Sequence, residues 1–252
     1  MKDLTHLSLF SGIGGLDMAA EWAGFRTVGQ CEWADFPRAV LEKHWPDVPK
    51  WRDIHDLTAN DFMERTGIRD LTLISGGFPC QPFSVAGKRR GKEDDRFLWP
   101  EMLRVIRELH PAWVVGENVS GLVRVALDEI LSGLQEAGYE ARAYSSEARN
   151  VGGLFRGERI AIVAASNDRG TPLWRDGEFQ ADGEAERRRD HHRGRAATPD
   201  LWKRWDVEPR PYGVADGIPH RVDQLRCYGN SVMPQQFYHI FRVIAELEER
   251  TC

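Results

Sequence analysis

Apolar residues in the first two thirds of the chain follow two alternating patterns. Short apolar runs bounded by glycine, polar or charged residues predict five strands, at Leu7–Phe10, Thr27–Cys31, Leu71–Ser75, Trp113–Gly116 and Arg159–Ala164. Between them, apolar residues at helical spacing predict helices at Leu16–Ala23, Pro37–His44, Leu98–Leu109 and Val125–Ala137. This alternation is typical of βαβ units, so we predict an α/β fold with a mainly parallel sheet.

The pattern changes in the last third of the chain. Tyr139–Ser145 predicts a weaker strand that pairs with Arg159–Ala164 as a hairpin at the end of the sheet. Ser166–Ala197 has almost no apolar periodicity, which is typical of a surface excursion or a partly disordered insert. A final amphipathic helix is predicted at Gln235–Glu249.

Composition narrows the class of protein. The 252 residues include 41% hydrophobic and 29% charged residues, which excludes a wholly disordered chain. Four scattered cysteines form no Cys-x-x-Cys pair, so we expect neither a disulfide framework nor a metal site. Because no apolar stretch approaches the roughly 20 residues of a membrane helix, we expect a soluble, cytoplasmic protein without a membrane partner. The net charge of −5 argues against a generally basic nucleic-acid coat but leaves a local basic groove open.

A glycine-rich turn follows the first predicted strand, in Leu7-Ser8-Leu9-Phe10-Ser11-Gly12-Ile13-Gly14-Gly15. Glycines let the backbone approach a ligand there, and the next helix presents free N–H groups. Glu32 closes the second predicted strand, where a carboxylate can accept hydrogen bonds from ribose hydroxyls. An ordinary tight turn with a solvent-facing glutamate is the alternative. The two features together favour a nucleoside-containing ligand, although the pattern is not the Gly-x-Gly-x-x-Gly dinucleotide fingerprint.

A cysteine between two prolines follows the strand at Leu71–Ser75, in Ser75-Gly76-Gly77-Phe78-Pro79-Cys80-Gln81-Pro82-Phe83-Ser84. Ligands of open α/β sheets bind at the carboxyl ends of the strands, where this cysteine lies. The loop that follows carries four basic residues, Lys88, Arg89, Arg90 and Lys92. A buried, inert cysteine is the alternative, but nearby positive charge favours the reactive thiolate form of Cys80.

These segments resemble the DNA cytosine-5 methyltransferase family of bacterial or phage type. The resemblance rests on Leu-Phe-Ser-Gly-Ile-Gly-Gly, on Gly-Phe-Pro-Cys-Gln-Pro-Phe-Ser, and on three later signatures in the family's order: Glu117-Asn118-Val119, Arg149…Arg156-Gly157-Glu158-Arg159 and Tyr228-Gly229-Asn230-Ser231-Val232. It covers Thr5–Ala165 and Asp216–Glu248. It implies a Rossmann-like, S-adenosylmethionine-dependent fold with a mixed sheet flanked by helices.

The resemblance also implies three catalytic residues. Cys80 would attack C6 of a flipped-out cytosine as a thiolate and form a covalent intermediate. Glu117 would hold or share a proton at N3, which needs a raised pKa. Arg159 would contact the base at O2. The chain departs from the family at Gly157, where a second arginine is usual, and has Arg156 one step earlier.

The cofactor and DNA contacts follow by the same resemblance. The residues expected around S-adenosylmethionine are Phe10, Gly12, Gly14, Gly15, Glu32, Trp33, Asp53, Ile54, Pro79, Leu98, Asn230 and Val232. Trp33 would stack on adenine, with a core position as its alternative. The residues expected to contact DNA are Gln81, Ser84, Lys88, Arg89, Arg90 and Lys92.

We therefore expect a catalytic domain at 1–165 plus 216–252, with a small target-recognition region or partly disordered insert at 166–215. In that insert, Arg187–Arg195 is either a DNA-facing cluster or a solvated run. The expected activity is methylation of double-stranded DNA by a monomer, in a phage or in a restriction–modification system with a cognate endonuclease. The alternatives are an RNA cytosine-5 methyltransferase and a catalytically silent DNA-binding regulator.

Overall fold

Strand β1 (Thr5–Leu9), which is buried along its whole length, lies inside a seven-stranded sheet. The structure is a computed structural model that describes residues 3–79, 97–153, 156–169 and 231–250. The other strands are β2 (Arg26–Cys31), β3 (Lys50–Trp51), β4 (Leu73–Gly76), β5 (Trp113–Val119), β6 (Tyr139–Glu147) and β7 (Glu158–Ser166). Their order across the sheet is β3-β2-β1-β4-β5-β7-β6.

Two pairing directions make the sheet mixed. Strands β1 to β5 run parallel to one another, so their carboxyl ends lie along one edge. Strand β7 runs antiparallel to both β5 and β6. Because of that reversal, β7 begins at the edge where β5 ends, with Arg159 opposite Val119. Residues at the start of β7 and at the end of β5 can therefore contribute to one site.

Helices join these strands and pack their apolar sides on the sheet. They are α1 (Gly15–Trp22), α2 (Asp35–His44), α3 (Ala59–Thr66), α4 (Trp99–Leu109), α5 (Leu127–Glu136) and α6 (Pro234–Arg250), and short 3₁₀ helices lie at Ile54–Asp56, Ser120–Arg124, Ala148–Val151 and Asn167–Arg169. Helix α3 begins where the Thr58 hydroxyl accepts a hydrogen bond from the Asp61 amide, and it ends at Gly67, whose φ is 71°. None of the helices in the described ranges is long and apolar enough to cross a membrane.

The last helix belongs to the same core as the first strands. Phe241 is fully buried, with its ring centroid 6.1 Å from that of His6 and 6.3 Å from that of Phe25. Trp113 donates a buried hydrogen bond of 2.8 Å from Nε1 to Oε1 of Glu248. All described residues belong to one compact unit, which comprises 1–169 and 227–252. The division predicted at residue 166 stays a prediction.

The predicted α/β fold, its mixed sheet and the hairpin of β6 with β7 are confirmed. Each predicted strand and helix is present, with ends that shift by up to three residues. The helix predicted from Val125 begins at Leu127 because Ser120–Arg124 forms a separate 3₁₀ helix. Strand β3 and helix α3 were not predicted. The insert at 166–215 lies almost wholly outside the described residues.

Candidate active site

An ion pair joins the two predicted catalytic side chains that the structure describes. Nε of Arg159 lies 2.9 Å from Oε1 of Glu117, and the two side chains are only 15% and 13% exposed. The register explains the contact, since Glu117 of β5 faces Ala161 of β7, and Arg159 is two positions along β7 on the same face. Arg159 also donates from Nη2 to the Ser231 carbonyl at 3.3 Å. The guanidinium is thus held between β5 and the segment before α6.

Burial has the largest effect on the pKa of the Glu117 carboxyl. Removal of the carboxyl from water raises its pKa to about 7, although the charge of Arg159 acts in the opposite direction. The group can therefore hold a proton near neutral pH despite its cationic neighbour. A glutamate that both retains and releases a proton near pH 7 suits general acid–base chemistry.

The segment after β4 lies against this carboxyl. A Cβ atom at Gly77 would lie 2.6 Å from Oε2 of Glu117, so a larger side chain there would displace the carboxyl. Next to it, Nδ2 of Asn118 donates a buried hydrogen bond of 2.9 Å to the carbonyl of Phe78. These contacts hold the backbone that leads to Pro79 beside Glu117. Cys80 follows Pro79 in the chain and lies outside the described residues.

The glycine-rich turn has a left-handed backbone at three positions, which fits the tight bend expected from its glycines. Phe10, Gly12 and Gly14 all have positive φ, at 53°, 56° and 88°. A Cβ at Gly14 would meet the Trp45 ring at 2.5 Å, whereas one at Gly12 would meet nothing within 4 Å. The turn is therefore closed by Trp45 on one side and open at Gly12. Gly15 then begins α1, against the backbone of Val232.

Glu32 and Trp33 lie beside this turn. The Glu32 carboxylate accepts hydrogen bonds of 2.8 Å from the amides of Gly12 and Ala34, one on each oxygen. Each oxygen keeps lone-pair capacity for a further donor. Trp33 is 64% exposed, which excludes the core alternative, and the Arg52 guanidinium carbon lies 5.7 Å from its ring centroid. An exposed indole face and free acceptor capacity suit a nucleoside.

Of the other predicted cofactor residues, all but Asn230 are among the described residues. Asp53 caps the 3₁₀ helix at Ile54–Asp56, and its hydrogen bond from the His55 amide lowers its pKa. Ile54 itself is buried, while Pro79, Leu98 and Val232 are partly buried. Asn230 lies outside the described residues, as do all six predicted DNA contacts, Gln81, Ser84, Lys88, Arg89, Arg90 and Lys92. The cluster Arg187–Arg195 also lies outside them.

Three structural contacts at this edge of the sheet were not predicted from the sequence. They are the Asn118 hydrogen bond to Phe78, the packing of Trp45 on Gly14, and a link from Gln236 to the β6–β7 hairpin. The asparagine stood within a recognised motif, but no local pattern assigns its partner. Arg156 does not enter the site, because its guanidinium pairs with Glu147 and Glu158 instead.

Comparison with known proteins finds relatives over about two thirds of the chain. A family model described as C-5 cytosine-specific DNA methylase matches residues 4–188. The Type II methyltransferase M.PspPI of Psychrobacter sp. (strain TA137) is 41% identical over 176 residues, which cover 66% of this chain and 41% of that protein. The Type II methyltransferase M.HhaI of Haemophilus parahaemolyticus is 32% identical over 173 residues, which cover 67% of this chain and 51% of that protein.

A solved structure shares the fold. It is assigned as a DNA modification methyltransferase encoded within a prophage (E. coli), and it matches 68% of this chain and 49% of its own with a TM-score of 0.57 and 22% identity. The fold is thus that of the Rossmann-like, S-adenosylmethionine-dependent methyltransferases. The chain spans about half or less of the length of the relatives it matches.

Proposed function

Because the chain belongs to the C-5 cytosine-specific DNA methylase family, we propose that it transfers a methyl group to C5 of cytosine in DNA. The observation that carries the proposal is the buried pair of Glu117 and Arg159, held against Gly77 three positions before Cys80. An acid, a cation and a nucleophile are what the addition to a cytosine ring requires.

The reaction begins with the Cys80 thiolate. Its sulfur forms a bond to C6, the electrons of the C5–C6 double bond move into the ring, and N3 takes a proton from Glu117. C5, now nucleophilic, would bond to the methyl group of a sulfonium donor, whose sulfur–carbon bond would break so that a neutral thioether leaves. Loss of the C5 proton to water or another base restores the double bond, expels the Cys80 thiolate and returns the N3 proton to Glu117. The role of Cys80 in these reaction steps is proposed from its sequence motif.

Glu117 is suited to the proton transfer by its burial. Its pKa near 7 leaves a large fraction of the carboxyl protonated at neutral pH. Arg159 holds the carboxyl at 2.9 Å from Nε and keeps a second nitrogen near the Ser231 carbonyl. We infer that this guanidinium contacts O2 of the bound base, where a cation offsets the charge that develops in the ring.

The methyl donor of the family is S-adenosylmethionine, which supplies an electrophilic methyl group. The residues around the glycine turn fit this molecule. Gly12 is open, Glu32 retains acceptor capacity for the ribose hydroxyls, and Trp33 exposes a ring face to the adenine. Asp53 and Ile54 would meet the adenine edge, and Phe10, Gly14, Gly15, Pro79, Leu98, Asn230 and Val232 would complete the pocket.

Double-stranded DNA is the proposed substrate, from which the cytosine must leave the base stack to reach Glu117. Base flipping costs a few kcal/mol and requires a firm hold on the flanking phosphates. We propose that Lys88, Arg89, Arg90 and Lys92 supply it, with Gln81 and Ser84 nearer to the base. The setting proposed for a monomeric enzyme is a restriction–modification system with its endonuclease, which the Type II names of the relatives favour, or a phage.

Bisulfite sequencing tests the proposal directly. We expect DNA from a methylation-deficient host that expresses the protein to carry new 5-methylcytosine within one short sequence. The Cys80→Ala variant, matched by a Cys252→Ala control, should carry none, whereas the control should match the wild type. Absence of new methylation by the wild type, or equal methylation by Cys80→Ala, would overturn the proposal. Methylation of the host RNA in place of DNA would identify the RNA-directed alternative.

A further inference from the structure

A short segment before and within the first turn of α6 contacts both halves of the candidate active site. The Ser231 carbonyl accepts the hydrogen bond from Arg159, at 3.3 Å. A Cβ atom at Gly15 would lie 2.8 Å from the carbonyl oxygen of Val232. Within the segment 231–236, Ser231 thus contacts the arginine of the catalytic pair, and Val232 contacts the glycine turn.

Gln236 fixes this segment to the hairpin of β6 and β7. Its side chain is buried at 4% exposure, and Nε2 donates two hydrogen bonds, of 3.0 Å to the Ser146 carbonyl and 2.9 Å to the Gly157 carbonyl. An amide nitrogen has two hydrogens, so both are used. The backbone N–H of Gln236 donates a separate hydrogen bond of 2.9 Å to the Met233 carbonyl, which closes the turn at the start of α6.

The two acceptors lie beside Arg159. Ser146 is its direct partner across the β6–β7 ladder, and Gly157 precedes Glu158, where β7 begins. Gly157 has φ of 45°, a left-handed conformation that favours glycine over the arginine that the family resemblance predicts there. In place of that arginine, the chain has Gly157, whose carbonyl accepts the hydrogen bond from Gln236 two residues before Arg159.

We propose that Gln236 is a positioning residue, which holds the start of β7 so that Arg159 stays paired with Glu117 and the segment 231–236 stays seated on the glycine turn. The inference rests on the proposed function for its catalytic consequence. The geometry itself requires only the contacts among Gln236, Ser146, Gly157, Arg159 and Ser231.

The electrostatic consequence has a definite sign. Among the described residues, Arg159 on β7 is the charged side chain paired with Glu117, while Gly77 on the opposite side carries no charge. Arg159 acts to lower the pKa of Glu117. If the start of β7 is released and Arg159 moves away, the Glu117 proton will be held to a higher pH.

The test is Gln236→Met, which keeps the length and volume of the side chain but removes both donors. Gln135→Met is the matched control, because Gln135 is an exposed glutamine of another helix, α5, outside the site. For Gln236→Met we expect kcat/KM to fall about 10-fold, and the alkaline limb of its pH profile to move up by about half a pH unit. The dissociation constant of S-adenosylmethionine should rise about 3-fold, since the segment on Gly15 loosens. The control should remain within 2-fold of the wild type.

Carbon-13 NMR of the glutamate carboxyls gives a readout that needs no turnover. The Glu117 resonance, assigned with Glu117→Gln, should titrate at higher pH in Gln236→Met than in the wild type. This measurement separates the inference from the proposed function, because a chain that methylates nothing can still show the shift. An unchanged Glu117 titration in a folded Gln236→Met variant would overturn the inference. If that variant does not fold, Gln236→Asn, too short to reach both carbonyls, decides by the same titration.

Discussion

At the scale of single residues, the protonation of Glu117 is set by two opposing effects. A cation at 2.9 Å normally lowers the pKa of a carboxyl by stabilising its charged form. Burial acts in the other direction, and the pKa of Glu117 rises to about 7. Burial is therefore the stronger effect. The site thus holds a carboxyl that can carry a proton in direct contact with a guanidinium.

Glu117→Gln should separate turnover from cofactor binding. The amide cannot deliver a proton to N3, so we expect kcat to fall about 100-fold or more. The dissociation constant of S-adenosylmethionine should stay within 2-fold of the wild type, as measured by titration calorimetry. Equal loss of turnover and cofactor affinity would contradict the acid assignment.

The same variant predicts a change in pH dependence. In the wild type, the protonated carboxyl is present below its pKa and is lost as the pH rises through about 7. We therefore expect kcat/KM of the wild type to decline on the alkaline side. The residual activity of Glu117→Gln should lack this decline, because its side chain does not titrate. A decline of the same shape in both proteins would assign the limb to another group.

At the scale of elements, a buried acid joins β1, β2 and α1 beneath the glycine turn. Asp17 of α1 is fully buried and accepts hydrogen bonds of 2.8 Å from the Ser8 hydroxyl and the Gln30 amide nitrogen. Burial raises the pKa of Asp17 to about 6, because these two neutral donors do not offset the loss of water. Among the described residues, Oε1 of Gln30 has no hydrogen-bond partner. The network thus lacks a donor for Oε1 of Gln30.

Asp17→Asn should stabilise the protein above pH 6. A carboxyl with a raised pKa binds more protons in the folded state, so the free energy of unfolding of the wild type falls as the pH rises from about 4 to about 6 and stays low above that. An asparagine does not titrate, and its amide can donate to Oε1 of Gln30. The rise in pKa from 3.8 to about 6 corresponds to roughly 3 kcal/mol.

Urea unfolding at pH 4.5 and pH 8 measures this difference. The advantage of Asp17→Asn over the wild type should be larger at pH 8 than at pH 4.5 by about 2 kcal/mol. Glu64→Gln, which removes an exposed carboxyl of α3, serves as the control and should show no such difference. A constant gap between Asp17→Asn and the wild type at both values would refute the linkage.

The elements that the sequence predicted share a local signal, and the missed ones lack it. Strand β1 has leucines at alternate positions, and helix α4 buries an apolar stripe, and periodicity detects both. Strand β3 has two residues, too few for a period, and α3 buries only Phe62. Its hydrophobic stripe is too narrow to distinguish it from a loop. The N-cap at Thr58 marks the start of this helix, but a prediction from apolar periodicity alone does not use caps.

The site was predictable in its residues more than in its contacts. Glu117 and Arg159 stand in recognisable motifs, and their pairing follows from a mixed sheet with β7 beside β5. The link from Gln236 to Gly157 joins positions 79 apart in the chain and is formed by a glutamine in an ordinary amphipathic helix. Contacts of that kind depend on how the last helix docks, which no local pattern encodes.

At the scale of the whole molecule, the net charge of −5 must be reconciled with the proposed polyanionic substrate, DNA. Phosphate binding depends on local charge, so a few cations at the site suffice. We assign this role to Lys88, Arg89, Arg90 and Lys92, which follow Cys80 in the sequence. Affinity for DNA should then fall steeply with salt.

Alanine at all four positions should reduce this salt dependence. Each lost phosphate contact lowers the slope of log K against log salt by about 0.9, so the expected decrease is up to roughly 3.6. Fluorescence anisotropy with a duplex that contains the methylated sequence measures the slope between 50 and 200 mM salt. Arg69→Ala, at the exposed position before β4 and thus at the amino ends of the strands, should leave the slope unchanged. An unaltered slope in the fourfold variant would place the phosphate contacts elsewhere.

The docking of α6 also fixes when the protein can finish folding as it is made. The indole of Trp113 finds its buried acceptor only in Glu248, a residue added 135 positions later. At about 5–20 residues per second, the ribosome needs roughly 7–27 s to cover that distance. The ring contact of Phe25 with Phe241 joins residues that are even farther apart in the chain, so it forms after a longer interval of synthesis. The strands of the sheet are thus synthesised well before α6, and the apolar residues that α6 covers lack that cover during the interval.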